Sequence, residues 1–166
     1  MPSRRIHFSA GQLNEYIYRL QRVARSLNFF SLMIIALTLL NIITPAVVWA
    51  YPRILYPGPL AVILISVGVF VAVFGLAVAF ERKRKEGDAL FQTLSDQLHG
   101  ILSSRRKPEE SPRYDLIPEA RLSLQLFTQN SDLPLFPGRT GPALIVILNL
   151  GLLAFSLILQ RSFSSF

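Results

Sequence analysis

Three long stretches contain no Asp, Glu, Lys or Arg: Leu27 to Pro52, Ile54 to Phe80, and Gly141 to Gln160. A hydrocarbon layer of about 30 Å needs roughly 20 helical residues, and each stretch holds a core of that length. Three such helices cannot all be hidden inside a soluble core built from 166 residues. The composition agrees, with 51% hydrophobic against 16% charged residues, far from a cytosolic globule. The expected fold is therefore all-α: an integral membrane protein with three transmembrane helices, an N-terminal amphipathic interfacial helix and a mainly helical cytoplasmic loop.

The basic residues give this arrangement a direction. Arg4, Arg5, Arg19, Arg22 and Arg25 precede the first stretch, and ten more, Arg82 to Arg139, lie between the second and third. Only Arg53 and Arg161 fall elsewhere. Three spans place the amino terminus and the second connection on one side, so that side holds fifteen basic residues and the other two. The positive-inside rule assigns the richer side to the cytoplasm and the carboxyl terminus to the outside or periplasm, in a bacterial inner membrane. The net charge of +7 thus reads as topology and contact with membrane lipids, and nucleic acid is not expected as a partner.

The layout follows. Residues 1–28 form a cytoplasmic tail and amphipathic helix, 29–50 the first span, 51–59 a short external loop and 60–80 the second span. Residues 81–141 form the cytoplasmic loop, with an amphipathic helix at 88–102 and a linker at 103–113. The third span is 142–159, and 160–166 an external tail. The apolar run Phe29 to Ala50 exceeds a signal-peptide core and starts late, so it is expected to be retained.

Within the first segment, Ser9 is placed to cap a helix beginning near Gly11. Leu13, Tyr16, Ile17, Leu20, Val23, Ala24 and Leu27 then recur at three- and four-residue spacing, with Gln12, Glu15, Arg19, Arg22 and Arg25 on the remainder. Such a helix suits the headgroup plane, with the chain then turning into the membrane, or a partner subunit. Pro45 removes a backbone donor near the outer end of the first span and is expected to kink it. Trp49, Tyr51 and Tyr56 fall where an interfacial aromatic belt belongs. A helical stripe of Leu90, Leu94, Leu98 and Ile101 runs on from the second span, with an interruption expected at Gly87. Residues Pro118 to Asn130 suit a short helix, although Leu122, Leu124 and Leu126 would also alternate along a strand.

The second span carries small residues on one helical face: Ala61, Gly68, Ala72, Gly75 and Ala79. Gly68 with Ala72 and Gly75 with Ala79 are small-xxx-small pairs, which let helix backbones approach closely in lipid. They are expected to form a helix-packing face for the chain's own spans or a partner's. Asn41 and Asn149 lie near the middle of two spans running the same way, so they reach similar depth. A hydrogen bond between them, or to another subunit, is worth about 1 kcal/mol in lipid. Arg82, Lys83, Arg84 and Lys85 anchor the inner end of the second span, and with Arg139 are candidates for headgroup or anion contact.

None of this amounts to chemistry. The chain has no cysteine and two histidines, His7 and His99, both outside the spans. No G-x-S-x-G elbow occurs. The loop Gly138, Arg139, Thr140, Gly141 lacks Walker spacing and reads as a rigid turn, with anion binding the lesser reading. The spans hold no ionisable group, the usual mark of a proton relay or ion path. No catalytic, metal or cofactor site is expected, and the protein is not read as an enzyme.

Three functions remain. The first is a non-catalytic accessory, scaffold or assembly subunit of a larger inner-membrane complex, whose partners are other integral membrane subunits or copies of itself. The second follows from layout: over Leu13 to Ile101, a leader helix, a tight two-span hairpin and a charged helix resemble the SLATT group of bacterial membrane effectors. That resemblance implies a self-associating pore, and the third span departs from its two-span pattern. The third is a small transporter or lipid-handling protein using Asn41, Asn149 and Arg139.

Overall fold

The computed structural model describes residues 9–50, 59–103 and 115–163, with side chains for 9–46, 61–103 and 115–158. Four helices make up nearly all of it: α1 (Ala10–Ala50), α2 (Pro59–Ser103), α3 (Ile117–Asn130) and α4 (Gly141–Phe163). Among the described residues there is no strand, only an isolated bridge between Leu133 and Phe136. Three helices, α1, α2 and α4, are long and apolar enough to cross a membrane. Arg4, Arg5, His7, Tyr51, Arg53, Tyr56, the linker from 104 to 113 and the side chains of Trp49 and Arg161 lie outside the described residues.

α1 begins on a capping box. The Ser9 hydroxyl accepts from the Gln12 backbone N–H at 3.3 Å, and the Gln12 side-chain oxygen accepts from the Ser9 N–H at 3.0 Å. Two donors that the first helical turn leaves over are thereby matched. From there the helix differs from expectation, because it does not break between the leader and the first span. Its 41 residues run unbroken to Ala50 and past Pro45, a length of about 62 Å at 1.5 Å per residue. Nothing between Ala24 and Leu32 is glycine or proline. The buried residues Leu13, Ile17, Leu20, Ala24 and Leu27 continue at alternating steps of four and three into Ser31, Ile34, Thr38 and Asn41. That is the 3.5-residue period of helices packed side by side. The stripe is therefore covered by the chain's own residues.

α2 is also uninterrupted, from Pro59 to Ser103. Its buried positions are Ser66, Val69, Val73, Ala77, Phe80, Arg84, Gly87, Leu94, Leu98 and Ile101. The three–four alternation contains one additional four-residue step, Val73 to Ala77, which locally unwinds such a seam.

The chain forms two compact units. One comprises residues 1–28 and 82–131; the other comprises 29–81 and 132–166. In the first unit, α3 starts with Pro118 in its opening turn, where a missing N–H costs nothing. It buries Ala120, Ser123 and Phe127, a three–four set that only a helix brings to one face, while Leu122 and Leu126 stay exposed. Gln21 of α1 donates to the Ser123 hydroxyl at 3.0 Å. The Phe127 ring lies against Gly87 of α2, where a Cβ would come within 2.1 Å of Phe127 Cε2. It also sits 5.8 Å from the Phe91 ring, centroid to centroid. Gly87 is thus a seat for an aromatic ring rather than a helix break.

Candidate functional site

The second unit buries polar side chains among apolar ones and exposes an apolar surface. Ser31, Thr38, Asn41, Ser66, Asn149 and Ser156 are all buried, whereas Leu39, Ile43, Leu64, Val71, Ile147 and Ile158 are among its exposed side chains. α1 places Thr38 and Asn41 one turn apart on its seam, and α4 supplies Asn149. The structure brings the two asparagines together: Asn41 Nδ2 donates to Asn149 Oδ1 at 3.1 Å. Asn149 Nδ2 in turn donates to Thr38 Oγ1 at 3.0 Å and to the Ile145 carbonyl at 2.9 Å. Neither asparagine is accessible to solvent or lipid. Thr38 and Ser66 belong to this set although neither carries a role in the sequence reading. Thr38 had a signal, since it lies three residues before Asn41 and shares its face.

This knot ties α1 to α4. Its groups are neutral amides and hydroxyls, with no acid, base or nucleophile among them. Among the described residues no three His, Cys, Asp or Glu side chains gather where a metal would bind. His99 is exposed on α2.

The small residues of α2 point elsewhere. Gly68, Ala72 and Gly75 are exposed, Ala61 and Ala79 are half-buried, and nothing lies within 4 Å of a Cβ built on Gly68 or Gly75. The chain's own contact face on α2 is instead Ser66, Val69, Val73, Ala77 and Phe80. At Gly68, Ala72 and Gly75 the face is not covered by the chain's own described residues.

The basic cluster after the second span is divided in the same way. Arg82 and Lys85 are exposed, and Lys83 donates to Glu86 Oε2 at 2.7 Å. Arg84 is buried on the seam, so it is not available to a headgroup. At the other end of the first unit, Arg22 donates to the exposed Tyr18 hydroxyl at 3.2 Å and stacks over its ring at 5.0 Å. That hydrogen bond and the guanidinium charge lower the pKa of the phenol.

Residues 133–141 make a tight turn into α4. Phe136 N–H donates to the Leu133 carbonyl and Gly141 N–H to the Gly138 carbonyl, each at 3.1 Å. Gly138 has φ +98°, and a Cβ on Gly141 would lie 2.2 Å from the Phe136 carbonyl oxygen. Arg139 is exposed beside it. Gly138→Ala is expected to cost about 1–2 kcal/mol through its backbone conformation. Gly141→Ala should cost more, because a backbone oxygen cannot step aside as a side chain can. Unfolding in detergent micelles measures both, and an unchanged midpoint for Gly141→Ala would contradict the turn.

The chain matches no protein-family model, and neither a curated protein nor a solved structure is similar to it.

Proposed function

We propose that this protein is a non-catalytic accessory, scaffold or assembly subunit of a larger inner-membrane complex. The observation that carries this reading is the stripe Gly68, Ala72, Gly75 and Ala79, exposed at its first three positions and half-buried at Ala79. Two small-xxx-small pairs in register suit close approach by a helix of another subunit. A lipid-facing surface needs no glycines, which lower helix stability by about 1 kcal/mol each relative to alanine.

The orientation proposed has the amino terminus and second connection in the cytoplasm and the carboxyl terminus outside. It rests on the split of fifteen basic residues against two. The grouping of residues 1–28 with 82–131 in one compact unit supports it, since both segments then belong on one side. Arg82, Lys85 and Arg139 are the proposed headgroup contacts on that side.

Purification in mild detergent tests the function. The wild-type chain is expected to bring other membrane proteins with it, and Gly68→Leu with Gly75→Leu to lose them while keeping the wild-type unfolding midpoint. A monodisperse wild-type monomer with nothing bound counts against the proposal. A homo-oligomer alone would favour the second reading, a self-associating pore-forming effector, because the same stripe also suits a second copy.

A further inference from the structure

One exposed face of α1 changes character along its length. The helix is unbroken from Ala10 to Ala50, so Tyr18, Arg22, Arg25, Phe29, Leu32 and Ala36, at steps of four, three, four, three and four, share that face. All six are exposed. From Phe29 onward the face is apolar and belongs to the charge-free stretch. Immediately before it come two guanidinium groups and a phenol.

Nothing in the chain neutralises those two charges. Arg19 is paired with Glu15, and Lys83 with Glu86. Arg22 and Arg25 make no ion pair with any described residue. Arg22 instead donates to the Tyr18 hydroxyl at 3.2 Å and lies 5.0 Å from the centre of its ring. The hydrogen bond and charge of Arg22, and then the charge of Arg25, lower the pKa of that phenol, so the three groups act on one another. The contact with Tyr18 uses one of the five N–H donors of Arg22 and leaves four. The Tyr18 hydroxyl accepts from Arg22 and keeps its own proton to donate. Arg25, three residues further on, is a neighbour on the helix surface, about 5–6 Å away at Cβ. Two cationic forks and a hydroxyl proton, with no carboxylate to offset them, suit an anion with several oxygens, and arginine binds phosphate in bidentate fashion.

The place of the group on α1 decides which phosphate. Arg25 is four residues and Arg22 seven residues before Phe29, about 6 and 10 Å along a single helix. The headgroup layer is about 5–8 Å deep on each side of the hydrocarbon, and arginine carries its charge on a long stem that adjusts to reach it. We propose that Tyr18, Arg22 and Arg25 dock an anionic phospholipid whose headgroup has no ammonium to offset its phosphate, with its acyl chains along Phe29, Leu32 and Ala36. A zwitterionic lipid brings its own cation to the same place and is disfavoured there.

The test uses the full chain in nanodiscs made from equal parts of phosphatidylglycerol and phosphatidylcholine, with the retained lipids read by native mass spectrometry. The wild-type chain is expected to retain phosphatidylglycerol in preference; equal retention overturns the proposal. Arg22→Gln or Arg25→Gln should weaken that binding about five-fold, and the two together about thirty-fold. Arg121→Gln, which removes an exposed cation from α3, should leave it unchanged. A preference that survives the double variant, or that falls as far in Arg121→Gln, belongs to the total positive charge and overturns the site. Tyr18→Phe changes no charge and is expected to weaken binding about five-fold by removing the hydroxyl; no change there overturns the site as well, and this variant decides if the double variant does not fold. Glycerol phosphate at the concentration of the lipid should not displace it; displacement would assign the site to a soluble phosphate and overturn the lipid.

Discussion

Replacing Phe127 by alanine is expected to destabilise the first unit by about 3–5 kcal/mol, the range for removing a buried aromatic ring. Phe127 is 3% exposed, and its ring fills the space that Gly87 leaves open and meets Phe91. The ring and the glycine are one device, so the effect of changing the glycine depends on the ring. Gly87→Ala alone forces the ring aside, an overpacking cost of about 1–3 kcal/mol, against which the helix gains about 1 kcal/mol from losing a glycine. In the Phe127→Ala background only the gain remains, and Gly87→Ala should become neutral or stabilising by up to about 1 kcal/mol. Denaturant unfolding of the four chains, with proteolysis of α3 as a second readout, measures the cycle. If Gly87→Ala is equally costly in both backgrounds, the glycine serves something other than the ring.

Gly87 also shows where the sequence stops being informative. A glycine between a basic cluster and a leucine stripe reads as a break, since a helix interior disfavours it. What keeps α2 continuous is a ring from α3, forty residues later, and no local pattern announces it. The junction near residue 28 is similar: the charge pattern changes from amphipathic to apolar, which suggests a turn, but the four–three seam passes through unchanged. Its period was legible in Leu13, Ile17, Leu20, Ala24 and Leu27. Its continuation through Ser31, Ile34 and Thr38 was masked because every face of the span is apolar enough. Polar residues gave the contrast that hydropathy lacked. Asn41 and Asn149 could be singled out because an amide in an apolar span needs a partner, whereas Val69 and Val73 look no different from Val67 and Val71. The small-residue stripe was equally visible, but sequence alone does not say which neighbour it faces.

Asn149 is the member of the polar knot whose loss should be felt most. It makes three hydrogen bonds, to Asn41, Thr38 and Ile145, whereas Asn41 makes one to the knot. At about 0.6–1 kcal/mol for each of its two interhelical bonds in lipid, Asn149→Leu is expected to cost about 1–2 kcal/mol. Asn41→Leu should cost about 1 kcal/mol, because Asn149 keeps its bonds to Thr38 and Ile145. Asn149→Asp should be worse than leucine, since a carboxylate would face the Ile145 carbonyl and a charge in an apolar layer costs about 2.5–3.5 kcal/mol. Unfolding in detergent of the three variants gives the order Asp, then Leu at 149, then Leu at 41. Equal losses for the two leucine variants would mean that the asparagines act as a simple pair and that Asn149 is not their centre. The order also separates fold from function. The knot is buried within the second unit, whereas Gly68 and Gly75 are exposed on its surface, so Asn41→Leu should lower stability while leaving any partner bound at Gly68 and Gly75 in place.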